Sequence, residues 1–137
     1  MLLCTFICAQ KVTIEQLETL ASEDFNEFTK FAISKQYKLF NSKDKNASFT
    51  YIDEQTGSIH LLERDETGAN PFIKYMFNNS SEYSEILQQL EKRGYNYSGN
   101  ENTQDGVFLN YTNISERKVV IIMLLKDFYK IYVSTGG

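Results

Sequence analysis

Tryptophan is absent from this chain, histidine and proline each occur once, and cysteine occurs twice. Each shortage excludes some chemistry. His60 alone offers no histidine pair for a zinc site and leaves a single possible base for a histidine-dependent triad. Both cysteines, Cys4 and Cys8, fall in the first nine residues. Beyond them there is no thiol nucleophile, no disulfide and no cysteine-ligated metal. Gly-x-Ser-x-Gly, Walker and dinucleotide-type glycine motifs are missing, so no cofactor is expected. Basic charge is also scarce. Fourteen Lys and Arg stand against 18 Asp and Glu, a net charge of -4. Nucleic-acid affinity rests on neutralising many phosphates, so this balance argues against such a partner. No later stretch approaches the ~20 apolar residues of a membrane-spanning helix.

What is present is the material of one ordinary globular domain: 137 residues, 42% hydrophobic and 23% charged, with ten Phe and nine Tyr. Met1–Ala9 reads as the remnant of a secretory signal peptide, an apolar run ending in a small residue before the polar Gln10 and Lys11. The run is short and no Lys or Arg precedes it, so the leader is expected to begin upstream, with cleavage after Ala9. The alternative is a cytoplasmic N-terminal strand. Export predicts a periplasmic or secreted protein whose single domain spans residues 10–137.

Thr13 and Gln16 form a capping-box pattern, and Ile14, Leu17, Ala21, Phe25, Phe28 and Ala32 share one helical face. Their spacing predicts one helix from Thr13 to about Lys35. Strands are expected at Ser48–Asp53, Ser58–Arg64 and Pro71–Phe77, with Glu54–Gly57 turning the first hairpin. Asn78–Ser81 caps a second helix, stopped at Gly94. Val107–Thr112, Lys118–Leu125 and Phe128–Ser134 complete the strands. Short strands are also expected at Tyr37–Asn41 and Tyr95–Ser98.

The two halves follow one programme at an offset near 58 residues. Tyr37 matches Tyr95, Tyr51 matches Tyr111, Phe72 matches Phe128 and Lys74 matches Lys130. The expected fold is α+β: two αβββ units, about 13–78 and 79–135, forming one antiparallel sheet with helices on one face. This layout resembles the tandem architecture of β-lactamase inhibitor proteins and small periplasmic modules of that shape. The resemblance covers the order of elements only and carries over no residues.

Both copies of the repeat keep one face apolar, Phe49, Tyr51, Ile59 and Leu61 in the first and Leu109, Tyr111, Val119, Ile121 and Met123 in the second, and this is the face expected under the helices. Thr50, Ile52, His60 and Leu62 then fall on the open face of the first unit, and Phe108, Val120, Ile122 and Leu124 on that of the second. This second set is strongly apolar and is the expected partner-binding surface, for a protein partner, an apolar ligand or a second copy of the chain. Glu63, Asp65 and Glu66 cluster at a strand end, and Asn100, Asn102 and Asp105-Gly106 faintly resemble a calcium loop without its order of ligands. The function expected is a non-enzymatic, exported interaction module. The alternatives are a carboxylate-based hydrolytic enzyme and a cytoplasmic immunity-type protein. A pocket where Glu63, His60 and Tyr side chains converge would favour the enzyme.

Overall fold

A computed structural model describes residues 10–135; the expectation for Met1–Ala9 lies outside them. The fold is α+β. Helices α1 (Ile14–Ser22) and α2 (Phe25–Ser34) precede strands β1 (Lys38–Lys43), β2 (Asn46–Asp53), β3 (Ser58–Asp65) and β4 (Phe72–Phe77). Helix α3 (Ser80–Lys92) then leads to β5 (Asn96–Asn102), β6 (Val107–Asn113), β7 (Lys118–Leu124) and β8 (Tyr129–Ser134). All eight strands form one antiparallel sheet in the order β1-β2-β3-β4-β8-β7-β6-β5. Each half is a four-stranded meander, in which β1 and β5 stand where the short strands Tyr37–Asn41 and Tyr95–Ser98 are expected beside the αβββ unit, and the last strands of the two meanders pair to join them. Among the described residues no helix is long and apolar enough to cross a membrane.

The single helix expected over Thr13–Lys35 is two. Thr13 Oγ1 accepts from the Gln16 amide at 3.1 Å, and Gln16 Oε1 accepts from the Thr13 amide at 2.9 Å, which closes the capping box. α1 ends at Ser22. Asp24 then restarts the chain as a new N-cap, its carboxylate accepting from the Glu27 amide at 2.9 Å. The break lets α1 lie against β4 and β8 while α2 lies against β3. α1 contributes Ile14, Leu17 and Leu20 to the core, each at most 1% exposed. Burial on that scale contributes about 1.5–3 kcal/mol per side chain.

The ends of α2 and α3 are built alike. The Tyr37 amide donates to the Ala32 carbonyl at 3.0 Å, and the Tyr95 amide to the Leu90 carbonyl at 2.9 Å. The residue before each tyrosine has positive φ, Gln36 at 68° and Gly94 at 84°. Both outer strands are bulged, β1 at Phe40 and β5 at Ser98. A bulge disrupts the free edge of a sheet and discourages further strand pairing.

The pairing register corrects the expected faces. Four residues separate Asp53 from its partner Ser58, so Tyr51 pairs with His60 and Phe49 with Leu62. Likewise Tyr111 pairs with Val120 and Leu109 with Ile122. Directly opposed residues share a face. Val120 and Ile122, expected on the open face, are therefore under the helices and 0% exposed, and Leu124 packs half-buried on the same core. Leu62 and His60 also lie there, at 0% and 6%. Ile59, Leu61, Val119, Ile121 and Met123 move to the open face. Phe108, Thr50 and Ile52 remain there as expected.

Candidate interaction surface

The helix-free side of the sheet carries three rows of side chains, each running across the strands. One reads Thr50, Leu61, Met76, Lys130, Met123 and Phe108. The next reads Ser48, Glu63, Lys74, Tyr132, Ile121 and Asn110. The third runs through Asp65, Phe72, Ser134 and Thr112, with Val119 between the last two. Alternation along each strand places these residues opposite the core.

Most of the apolar members are only half-buried. Val119 remains 46% exposed and Ile52 59%, whereas Met123 is closed over at 7%. Phe72 meets Tyr132 edge-on, ring centres 5.4 Å apart. Together with Pro71, Phe108, Val119 and Ile121 they line a shallow hollow of about 290 Å³. Of the four residues expected to bind a partner, Phe108 alone belongs to this surface. Ile121, Leu61, Met76 and Tyr132 replace the others.

The charges on this face are unevenly matched. Lys74 Nζ meets Glu63 Oε1 at 2.8 Å, and Asn46 Nδ2 donates to Glu63 Oε2 at 3.0 Å. Lys130 makes no ion pair or side-chain hydrogen bond among the described residues. Burial, and next the charge of Lys74, hold its ammonium below the usual lysine value, against the opposing pull of Glu63 and Asp105.

A second cluster lies on the helix side, where sequence reasoning did not place one. His60 on β3, Tyr75 on β4 and Glu82 in the first turn of α3 are all buried. His60 Nε2 stands 2.9 Å from Glu82 Oε1, and the Tyr75 hydroxyl donates to Glu82 Oε2. Both oxygens of Glu82 are thereby engaged, one by the His60 ring and one by the Tyr75 hydroxyl. The Val12 amide donates to the Tyr75 oxygen at 3.3 Å. His60 Nδ1 is buried without a partner among the described residues. Burial foremost, then the nearby Tyr37 and the Glu82 charge, push the Tyr75 hydroxyl well above its ordinary value. Tyr37 is pushed up by the same main cause, and its hydroxyl donates to the Gln10 carbonyl at 2.6 Å. The cluster pins the first helical turn of one half to the sheet of the other.

The remaining expected sites are dispersed. Glu63 is on the open face and His60 beneath the helices, so the two do not converge. Asp65 Oδ1 accepts from the Thr67 amide at 2.8 Å, and Glu66 accepts from Arg64 at 2.7 and 2.9 Å. Asn100, Asn102 and Asp105 lie exposed along β5 and the turn that follows it. Among the described residues no group of three His, Cys, Asp or Glu is placed to hold a metal ion. Comparison with known protein families, curated proteins and solved structures yields no match.

Proposed function

We propose that this protein is an exported, non-enzymatic interaction module that receives a protein partner on the open face of its sheet. The observation that carries the reading is the helix-free face itself, where Leu61, Met76, Phe108, Ile121 and Tyr132 stay partly exposed around Lys74 and Lys130. Contiguous apolar surface rimmed by polar groups is characteristic of interaction sites. The dispersal of Glu63 and His60 to opposite sides of the sheet favours this reading over a carboxylate-based hydrolase. The apolar Met1–Ala9 segment favours export over a cytoplasmic immunity role.

Internal duplication belongs to the same reading. Tyr51 pairs His60 and, 60 residues on, Tyr111 pairs Val120. The same step relates the His60–Phe77 pair to Val120–Val133, with an offset of 56 in the last strand. The matching ends of α2 and α3 and the paired edge bulges support it further. Two fused units of this kind give a sheet twice the width of either, and α1, which has no counterpart, covers their seam.

Affinity capture from envelope extracts tests the proposal with three baits: the wild-type domain, Ile121→Glu on the open face and Gln88→Glu on the exposed side of α3. A protein retained by wild type and Gln88→Glu but lost with Ile121→Glu is the expected result. Equal retention by all three would remove the open face from the account.

A further inference from the structure

We propose that the partner of the open face is a protein segment that sets a carboxylate, flanked by apolar side chains, onto Lys130. This rests on the reading of that face as an interaction surface and specifies what the partner offers there. Strands β4 and β8 meet about the pair Tyr75–Ile131, and Lys74 and Lys130 each lie one residue before it in their own strand. Across β3, Lys74 faces Glu63 and is ion-paired with it. Across β7, Lys130 faces Met123, and on its other side it faces Met76. One half of the sheet therefore supplies a carboxylate to its lysine, and the other supplies a thioether.

Lys130 is left half-buried in a row of Leu61, Met76, Met123 and Phe108, without the anion its counterpart has. The two carboxylates acting on it from farther away are committed or remote: Glu63 is held by Lys74 and Asn46, and Asp105 lies exposed beyond β5. A carboxylate delivered there meets an ammonium in an apolar setting, where a charge-assisted contact is stronger than in open water. Met76 and Met123 are unbranched and adapt to an incoming surface. The hollow beside Phe72 and Tyr132 on this face, at about 290 Å³, is shallow, whereas an acyl chain calls for an enclosed channel. A second copy stacked face to face through the centre would bring Lys74 and Lys130 onto their own copies, with like charges opposed.

Random dodecapeptides displayed on phage and selected on the wild-type domain provide the probe. Selection is expected to converge on Asp or Glu between aromatic or aliphatic residues. A synthetic peptide of the selected sequence should bind Lys130→Gln about tenfold more weakly and lose affinity as salt rises. It should fail on Met123→Glu, where an internal carboxylate meets Lys130 as Glu63 meets Lys74. Thermal unfolding checks both variants, and Lys130→Gln decides the matter if Met123→Glu does not fold. Selected peptides that compete with one another, are lost on Ile121→Glu and yet lack a carboxylate, or bind Lys130→Gln unchanged, overturn this proposal and leave the interaction surface standing. Peptides indifferent to Ile121→Glu, or no binders at all, overturn both. Laurate binding, or dimerisation in sedimentation equilibrium, that is abolished by Lys130→Gln would assign Lys130 to a different occupant and overturn the protein segment.

Discussion

Tyr51 and His60 are directly opposed across β2 and β3, and that pairing sets which side of the later strands meets the helices. Carried through β4 and β8, the same register puts Ile122 in the core and Ile121 on the open face, though they are neighbours in one apolar run. The two isoleucines should therefore respond very differently to truncation. Ile122→Ala is expected to cost about 3 kcal/mol, the usual penalty for a cavity in a closed core. Ile121→Ala should cost less than about 1 kcal/mol. Denaturant unfolding of the two variants measures the difference, and equal losses would mean the register is wrong.

Glu82 joins the halves by a different route. Its replacement by Ala takes the carboxylate away from the buried Tyr75 hydroxyl and the buried His60 Nε2. A loss of about 2 kcal/mol or more is expected, because each buried polar group left without its partner costs about 1–3 kcal/mol. Glu85→Ala, one turn further along α3 and exposed, should cost less than about 1 kcal/mol even though Glu85 pairs with Lys11 at 3.2 Å. Equal midpoints for the two variants would show that the buried cluster does not join the halves.

The tyrosines predict how stability depends on pH. Tyr37, Tyr75 and Tyr95 all have hydroxyls raised above the ordinary value, in each case mainly by burial. For such a group the folded state favours the protonated form. The stability it contributes is complete below the unfolded value of about 10 and is lost as pH rises beyond it. Absorbance titration should show some of the nine tyrosines ionising normally and the remainder only together with unfolding. Smooth ionisation of all nine in the folded protein would contradict the buried placement of Tyr75.

The ends of α2 and α3, built alike, carry different residues at the position of positive φ. Gln36 holds a positive φ that costs a residue with a side chain about 1–2 kcal/mol, and Gly94 holds a similar one freely. Gln36→Gly should raise the unfolding midpoint slightly. Gly94→Ala should lower it, because the added methyl also comes within 3.2 Å of the Asn113 amide group. Opposite signs in thermal unfolding are the expected outcome.

Much of this architecture was legible in the residues. Helical spacing from Ile14 to Ala32, the Glu54–Gly57 turn, Asn79 at one end of α3 and Gly94 at the other all mark elements that the structure contains. The break at Asp24 was also signalled, by Glu27 three residues later, but an uninterrupted apolar stripe outweighed it. The faces were misread for a physical reason. In β7 both sides of the strand are apolar, so its pattern does not choose between them. In β3 the core side carries His60 and Arg64, which look like surface residues. They are buried because each has a partner: His60 has Glu82, and Arg64 donates to Glu66 and, at 3.0 Å, to the Leu20 carbonyl at the end of α1. Glu82 itself looks like a surface residue suited to the helix dipole. Glu82 and Leu20 lie 22 and 44 residues from the side chains they hold, so these two contacts leave no local pattern.

The central claim, that the open face is where this protein meets its partner, is tested most directly by site-specific photocrosslinking in the cells that make it. A photoreactive residue at Leu61 or Ile121 should capture the same protein, while one at Thr19 or Gln88, exposed on the helix side, should capture none. Capture of a common protein from Thr19 and Gln88, with none from Leu61 or Ile121, would contradict it.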